Sequence, residues 1–394
     1  MVSLSADLAT TDGIDLAVAT LYSGNELKKL EVNNITYYLI PGGQKAMQGK
    51  GSEKLKDYWR EVTENFKPDV LHLNGTEYTH GLALLKACPD ITSVVSIQGL
   101  LGVIEKYYSA GMEFSDVYFR PSFRDAIRLD PLWNGRRSMQ KRAVFEREIL
   151  CQVHHVIGRT TWDYANVNAV NPGIKYHHCD ESLRDPFYNN EWDIAKIQRH
   201  SIFTTQAGYP IKGLHILLKA VALLKRDYPD IQVFAAGHNL LGGSFVARLK
   251  TPGYGLYIKR LIKKLGLKDN VIFTGMLDAE GVVDRLMKTH VFAVPSAVEN
   301  GCNALHEAML IGVPSIAAFS GGMTDMMTHK VNGFMYPFME EAMLAEYIRR
   351  IFESDDMALQ FSQAGRESAH KRHDRRKITD TMVGIYRDII SSLK

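Results

Sequence analysis

Two carboxylates, Glu299 and Glu307, stand eight positions apart on either side of Asn300-Gly301-Cys302-Asn303. The apolar run Val291 to Val294 ends just before them at Pro295-Ser296, and Asn303 to Ile311 reads as a helix stopped by Gly312-Val313-Pro314. A loop that leaves a strand and opens a helix presents backbone N–H groups that bind phosphate oxygens, while a carboxylate accepts hydrogen bonds from vicinal hydroxyls such as those of a ribose. Glu299 on the loop and Glu307 in the first turn of a helix capped by Asn303 are expected to face one crevice. Taken alone, Glu307 would be a helix-dipole carboxylate; as one of a pair flanking Asn300, Gly301 and Cys302 it points to ligand binding. Lys212 ends the loop Gly208-Tyr209-Pro210-Ile211-Lys212 ahead of another helix, where a cation either neutralises a diphosphate or is simply solvated. Gly321-Gly322 follow a further strand end, and paired glycines there allow close backbone approach or mark a plain turn.

The elements that must position these residues alternate regularly in the second half. Ile202 to Ala207, Gln232 to Ala236, Val271 to Thr274, Val291 to Val294 and Ser315 to Phe319 read as buried strands. Helices are expected between them, the first carrying Leu214, Leu217, Leu218, Val221 and Leu224 at helical spacing. Such βαβ units predict a doubly wound parallel sheet whose ligands bind beyond the carboxyl ends of the strands. The first half alternates less regularly, with strands expected at Leu16 to Leu21, Tyr37 to Ile40, Val70 to Leu73, Ser93 to Ile97 and His155 to Gly158. The fold class is therefore α/β with two Rossmann-like domains. Residues 1–190 and 191–370 are the expected domains, with the polar stretch Asn189 to Arg199 as linker and an amphipathic helix over 371–394. Met1 to Ala9 already reads as helix, so either Val2-Ser3-Leu4 is a short strand or the first strand of the N-terminal domain is missing.

Composition sets the class limits. The 394 residues leave room for two to three domains, and 45% hydrophobic with 23% charged residues excludes a disordered or fibrous chain. Lys+Arg 47 against Asp+Glu 44 leaves +3, which carries no argument for nucleic acid. The four cysteines are scattered, so neither a disulfide framework nor a zinc knuckle is indicated. No apolar run reaches the ~18 residues of a membrane span, and no signal peptide is visible. A cytoplasmic location is expected. Arg120, Arg124, Arg136 and Arg137, interleaved with Phe119, Phe123 and Trp133, read as a solvated face, as a lipid-pyrophosphate site or as a peripheral contact with an anionic membrane. His154-His155 and His177-His178 fall on strands, where neighbours point to opposite faces and cannot chelate together.

Taken together, Glu299-x7-Glu307 after Pro295-Ser296, Glu307-Ala308-Met309 with Gly312-x-Pro314, Gly321-Gly322, Asn332-Gly333-Phe334 and Lys212-Gly213 resemble the retaining glycosyltransferases of family 4, of GT-B fold. The resemblance is strong from about Ile202 to Ile351 and weak before that. It implies two domains facing across a cleft and a nucleotide-sugar donor on the C-terminal one. By that resemblance Glu307 holds the ribose, Lys212 the diphosphate, and Glu299 with Asn300, Gly301, Cys302 and Asn303 the donor sugar and phosphates. Gly208, Met276, Gly321 and Gly322 line the rest of the donor site. The acceptor, a glycan or lipid-linked saccharide of surface polysaccharide or glycoconjugate synthesis, is expected on the N-terminal side near His72 and Gln98. Retention is expected by front-face attack, in which the leaving diphosphate helps deprotonate the acceptor, with neither metal nor cofactor. The chain departs from the family in lacking an arginine before Lys212, in having Gln98-Gly99 where a histidine is common, and in having Asp325 after the paired glycines. These departures motivate two alternatives: a catalytically impaired scaffold that binds nucleotide sugar, and a GT-B sugar-nucleotide epimerase.

Overall fold

The computed structural model describes residues 2–43, 52–128, 131–237 and 251–392. The chain forms two compact units: Met1–Val103 with Met139–Ser182 and His373–Lys394, and Ile104–Ser138 with Leu183–Arg372.

In the first unit β1 (Leu16–Tyr22), β2 (Lys28–Val32) and β3 (Ile35–Pro41) form one sheet, and β4 (Leu71–Asn74), β5 (Ser93–Ser96), β6 (His155–Gly158) and β7 (Lys175–His178) a second. The second sheet is parallel throughout and ordered β4-β5-β6-β7. Its buried strand residues Val94, Val95, Val156 and Ile157 explain why β5 and β6 were legible as apolar runs. β2 and β7 were not. Lys28–Val32 is exposed at every position, and Lys175–His178 is a polar edge strand. The signal for β2 was the turn: Asn33 and Asn34 both take positive φ, 52° and 61°, the hairpin geometry that asparagine tolerates best after glycine.

Val2–Ala9 is a helix rather than a short strand, and its Leu8 packs with Val94, Ile157, Ile378, Met382 and Ile389. The last of these belong to the helix Arg375–Ser391, whose apolar face at Ile378, Met382, Ile385 and Ile389 is buried in this unit.

In the second unit β8 (Ser201–Thr204), β9 (Gln232–Ala236), β10 (Val271–Gly275), β11 (Val291–Val294), β12 (Ser315–Ala318) and β13 (Phe334–Tyr336) form a single parallel sheet. β8, β11, β12 and β13 are buried at every residue, as expected of strands covered on both faces. The order β10-β9-β8-β11-β12-β13 runs outward from β8 in one direction and from β11 in the other. The strand order therefore reverses between β8 and β11.

Two expected boundaries are corrected. Residues 104–138, expected in the N-terminal domain, belong with the second unit. There the wholly buried His215 donates from Nε2 to the carbonyl of Ala110 at 3.0 Å, and Arg260 pairs with Asp116 at 2.9 Å. Sequence could not show this, because the partners lie more than a hundred positions apart. Nor is Asn189 to Arg199 a linker. Trp192 is buried, its backbone N–H donates to Ile311 and its indole to Thr289, so the stretch is anchored within the second unit. The chain passes between the units upstream of it, after Ser182, and again after Arg372.

Candidate donor site

Ligands in doubly wound sheets bind outside the carboxyl ends of the strands where their order reverses. The loop after β8 ends in Lys212, and the loop after β11 carries Glu299. Because β8 and β11 are hydrogen-bonded neighbours, Val291 opposite Ile202 and Phe292 opposite Phe203, the two loops emerge side by side. They are stitched together: Ala297 N–H donates to the Ile211 carbonyl at 2.8 Å, and Lys212 Nζ donates to Glu299 Oε1 at 2.7 Å.

The local turn that aims Lys212 depends on one glycine. Pro210–Lys212 is a 3₁₀ turn, and Gly213 follows at φ 70° before the helix Leu214–Leu224 starts. A Cβ there would collide with the Pro295 carbonyl oxygen, so the two loops can approach only with glycine at this position. Burial alone would lower the Lys212 pKa. The charge and hydrogen bond of the facing Glu299, with smaller contributions from Cys302 and Tyr209, together outweigh it and hold the ammonium above its ordinary value.

Gly321 works in the same way on the next loop. It lies at φ 56°, a Cβ would run into the Glu299 carbonyl, and Gly322 N–H donates to that carbonyl at 2.9 Å. The glycine pair thus braces the Glu299 loop from below.

The other expected donor residues separate on inspection. Helix Asn303–Ile311 is flanked by Cys302, which makes no side-chain cap, so Asn303 is its first residue rather than its cap. Glu307 accordingly falls in the second turn, where it is buried at 5% exposure. The backbone N–H of Cys302 donates to Met326 Sδ at 3.2 Å, a weak acceptor, so it is not one of a set of open amides as expected. Its thiol is buried and pushed up to about 12, chiefly by desolvation with Glu299 adding to it. Asn300 is buried beside it, and Gly301 is half-buried. Gly208 has open space around it, and Met276 is 73% exposed. Asp325 ends the glycine turn and receives Arg372 on its backbone carbonyl at 2.6 Å.

One residue at this site was not singled out from sequence. Arg184 donates from Nε to Glu307 Oε1 and from Nη2 to Oε2, both at 2.7 Å. Nothing local marks it, since its partner is 123 positions away.

In the first unit, the loops after β5, β6 and β7 converge on Glu181. Its carboxylate receives Gln98 Nε2 and Arg159 Nη1, each at 2.7 Å. His72 and Gln98, both expected on the acceptor side, line one pocket of this unit together with Asn74, Arg159 and Glu181. His72 engages Ser96 and Tyr386 with its two ring nitrogens at 2.6 Å each, and desolvation pushes it down to about 4, which keeps it neutral. Glu146, also unanticipated, is buried with its pKa raised mainly by desolvation. It accepts from the N–H groups of Leu101 and Gly102 at 2.7 and 2.9 Å and thereby fixes the loop after β5.

Residues 194–368 match the family model described as glycosyl transferases group 1. That segment is similar to the glycosyl transferases of group 1. The chain is 26% identical over 196 residues to YqgM, an uncharacterized glycosyltransferase of Bacillus subtilis, a match covering 50% of this chain and 51% of YqgM. It is 25% identical over 179 residues to a D-inositol 3-phosphate glycosyltransferase of Corynebacterium urealyticum, covering 45% of this chain and 41% of that protein. The chain thus spans about half or less of the length of these curated relatives. Among solved structures it is similar to sucrose-phosphate synthase from Thermosynechococcus elongatus, with a TM-score of 0.77, 18% identity and 99% and 92% of the two chains covered. It is also similar to HepE of Anabaena in complex with UDP-glucose, with a TM-score of 0.67, 17% identity and 90% and 87% coverage. The likeness to these structures shows a GT-B fold of two Rossmann-like domains, as the resemblance in sequence implies.

Proposed function

We propose that the chain transfers a sugar from a nucleotide-sugar donor to a hydroxyl of a glycan or lipid-linked acceptor, with retention of configuration and without a metal. The observation that carries this is the 2.7 Å Lys212–Glu299 pair at the strand-order reversal, with the buried Glu307 on the helix that follows. Lys212 gives the departing diphosphate a cation, and electrostatic stabilisation of a leaving group needs one where the charge grows. Glu299, one side of whose carboxylate is taken by Lys212, keeps acceptor capacity for donor-sugar hydroxyls. Glu307 accepts from the ribose hydroxyls. Front-face attack, with the diphosphate oxygen accepting the acceptor's proton, suits this inventory because Glu299 is engaged in an ion pair with Lys212 and the lysine offers the departing diphosphate a cation.

The test is calorimetric titration with UDP, GDP and ADP and their sugars, beginning with UDP because a neighbour in fold, HepE, binds it. At least one diphosphate is expected to bind, and Glu307→Ala to weaken it by about ten- to a hundredfold, the worth of hydrogen bonds to a charged group. Failure of every nucleotide to bind at millimolar concentration overturns the proposal. Consumption of donor without any acceptor would favour the epimerase reading, and binding without turnover the scaffold.

Peripheral membrane contact is a further part of the proposal. No helix among the described residues is long and apolar enough to cross a membrane. Phe114, Phe119, Phe123 and Ile127 nevertheless stand 67%, 73%, 59% and 66% exposed on two short helices and the turn between them, with Arg120 in that turn. Aromatic and basic residues mixed on one exposed segment suit the headgroup region of an anionic bilayer. Sedimentation with phosphatidylglycerol-containing vesicles should carry the protein down, and Phe119→Ser with Phe123→Ser should reduce that severalfold. Equal partition with and without anionic lipid would refute the contact.

A further inference from the structure

We infer that Arg184 is a positioning residue for Glu307 and that through it the protein selects ribose over deoxyribose in the donor. The inference rests on the reading of Glu307 as the ribose acceptor. Arg184 stands two residues past the point where the chain enters the second unit, and the segment it opens is fastened to the donor-site helix. Phe187 is fully buried, Trp192 N–H donates to the Ile311 carbonyl, and Arg366 Nη1 bonds the carbonyls of both Asn190 and Leu310. Asp185–Phe187 is a 3₁₀ turn, and the Arg184 guanidinium lies 4.7 Å from the Phe187 ring centre. Stacked below and forked onto both oxygens of Glu307 at 2.7 Å, it has its plane fixed twice.

The consequence for Glu307 is geometric. A glutamate at the edge of a nucleotide site has three rotatable bonds, and ordering them costs binding free energy each time a ligand arrives. The fork orders them beforehand and takes one acceptor position on each oxygen. The remaining position on each oxygen is left for a pair of adjacent hydroxyls, which is what a ribose presents and a 2′-deoxyribose does not. The hydrogen bonds to Glu307 raise the guanidinium pKa above its ordinary value, so Arg184 keeps its charge.

An arginine near a diphosphate site has a rival role, that of replacing the cation missing ahead of Lys212. The structure favours positioning, because the guanidinium is already held in two-point contact with Glu307 and stacked on a buried ring. The two roles give opposite results with ligand variants. Dissociation constants are measured for the best-binding nucleoside diphosphate, its 2′-deoxy analogue and the matching monophosphate, on wild type, Arg184→Met, Arg184→Lys and Glu307→Gln. Methionine keeps a straight apolar stem over Phe187, and thermal unfolding checks that each variant folds.

Wild type should prefer the ribo- over the deoxyribonucleotide by about tenfold or more. Arg184→Met should bring that preference to within about threefold, as Glu307→Gln does, while the ratio of diphosphate to monophosphate affinity stays as in wild type. Arg184→Lys should fail to restore the preference, since an ammonium cannot fork. A collapsed diphosphate-to-monophosphate ratio with ribose preference intact would overturn the inference in favour of a phosphate contact. Full restoration by lysine would overturn it in favour of charge alone. If Glu307→Gln loses the preference and Arg184→Met keeps it, the positioning role fails while the donor-site reading stands. Absence of nucleotide binding by wild type would instead remove the donor-site reading itself.

Discussion

Replacing Lys212 with methionine is expected to lower sugar transfer by about a hundred- to a thousandfold in kcat, the loss seen when one preorganised donor is taken from a developing oxyanion. The proposed role is matched by how the lysine is held. Its side chain is 23% exposed and Glu299 12%, so the pair is largely withdrawn from water, and the ammonium keeps its proton because Glu299 faces it. The same substitution leaves the Glu299 carboxylate buried without its cation, which should also cost stability, on the order of 3 kcal/mol. The two effects separate in the double variant Lys212→Met, Glu299→Gln. Removing both charges should return most of the stability and none of the transfer. Donor turnover measured alongside urea unfolding decides the matter; transfer near the wild-type rate in Lys212→Met would mean that the diphosphate is neutralised elsewhere.

A single methyl group at Gly213 is expected to be almost as damaging. The residue sits at φ 70°, and an alanine Cβ would overlap the Pro295 carbonyl oxygen, a backbone atom that cannot rotate away. The left-handed conformation costs an alanine about 1 kcal/mol, and relieving the collision requires the loops after β8 and β11 to separate. A loss on the order of 3 kcal/mol in unfolding free energy is expected, together with weakened nucleotide binding as Lys212 shifts away from Glu299. Gly208→Ala is the control. A Cβ there meets nothing within 4 Å and the backbone needs no positive φ, so stability should change by under about 1 kcal/mol. Equal behaviour of the two variants in thermal unfolding would show that the loops are not held by this contact.

What could be read from sequence follows the physics of burial. β8, β9, β11 and β12 are apolar or nearly so because covered parallel strands bury both faces, and such runs are visible without knowing their partners. Lys28–Val32 carries no such mark, because it is exposed at every position, which is why it was missed. The segment 104–138 was misassigned for a related reason. Its attachments are a buried histidine reaching a carbonyl and an arginine reaching Asp116, contacts that depend on long-range geometry and leave no periodicity. The polar composition of Asn189 to Arg199 suggested a linker, whereas its one tryptophan, buried with its indole bonded to Thr289, holds the segment down.

The sequence by itself determined which chemical groups the candidate donor site would contain: Lys212 before one helix, Glu299 on a strand-end loop, Glu307 on the next helix and a glycine pair beyond them. Those assignments follow from local rules, because strand ends, helix starts and glycine turns are fixed within a few residues. Only the tertiary structure decided how the groups meet. The adjacency of β8 and β11 joins loops 87 positions apart into one ion pair, and no local pattern encodes which strands lie side by side. In the same way it spent the Cys302 amide on Met326 and brought Arg184 onto Glu307. Local propensity fixes the elements, whereas sheet order is set by how the elements bury one another, and the donor site depends on both.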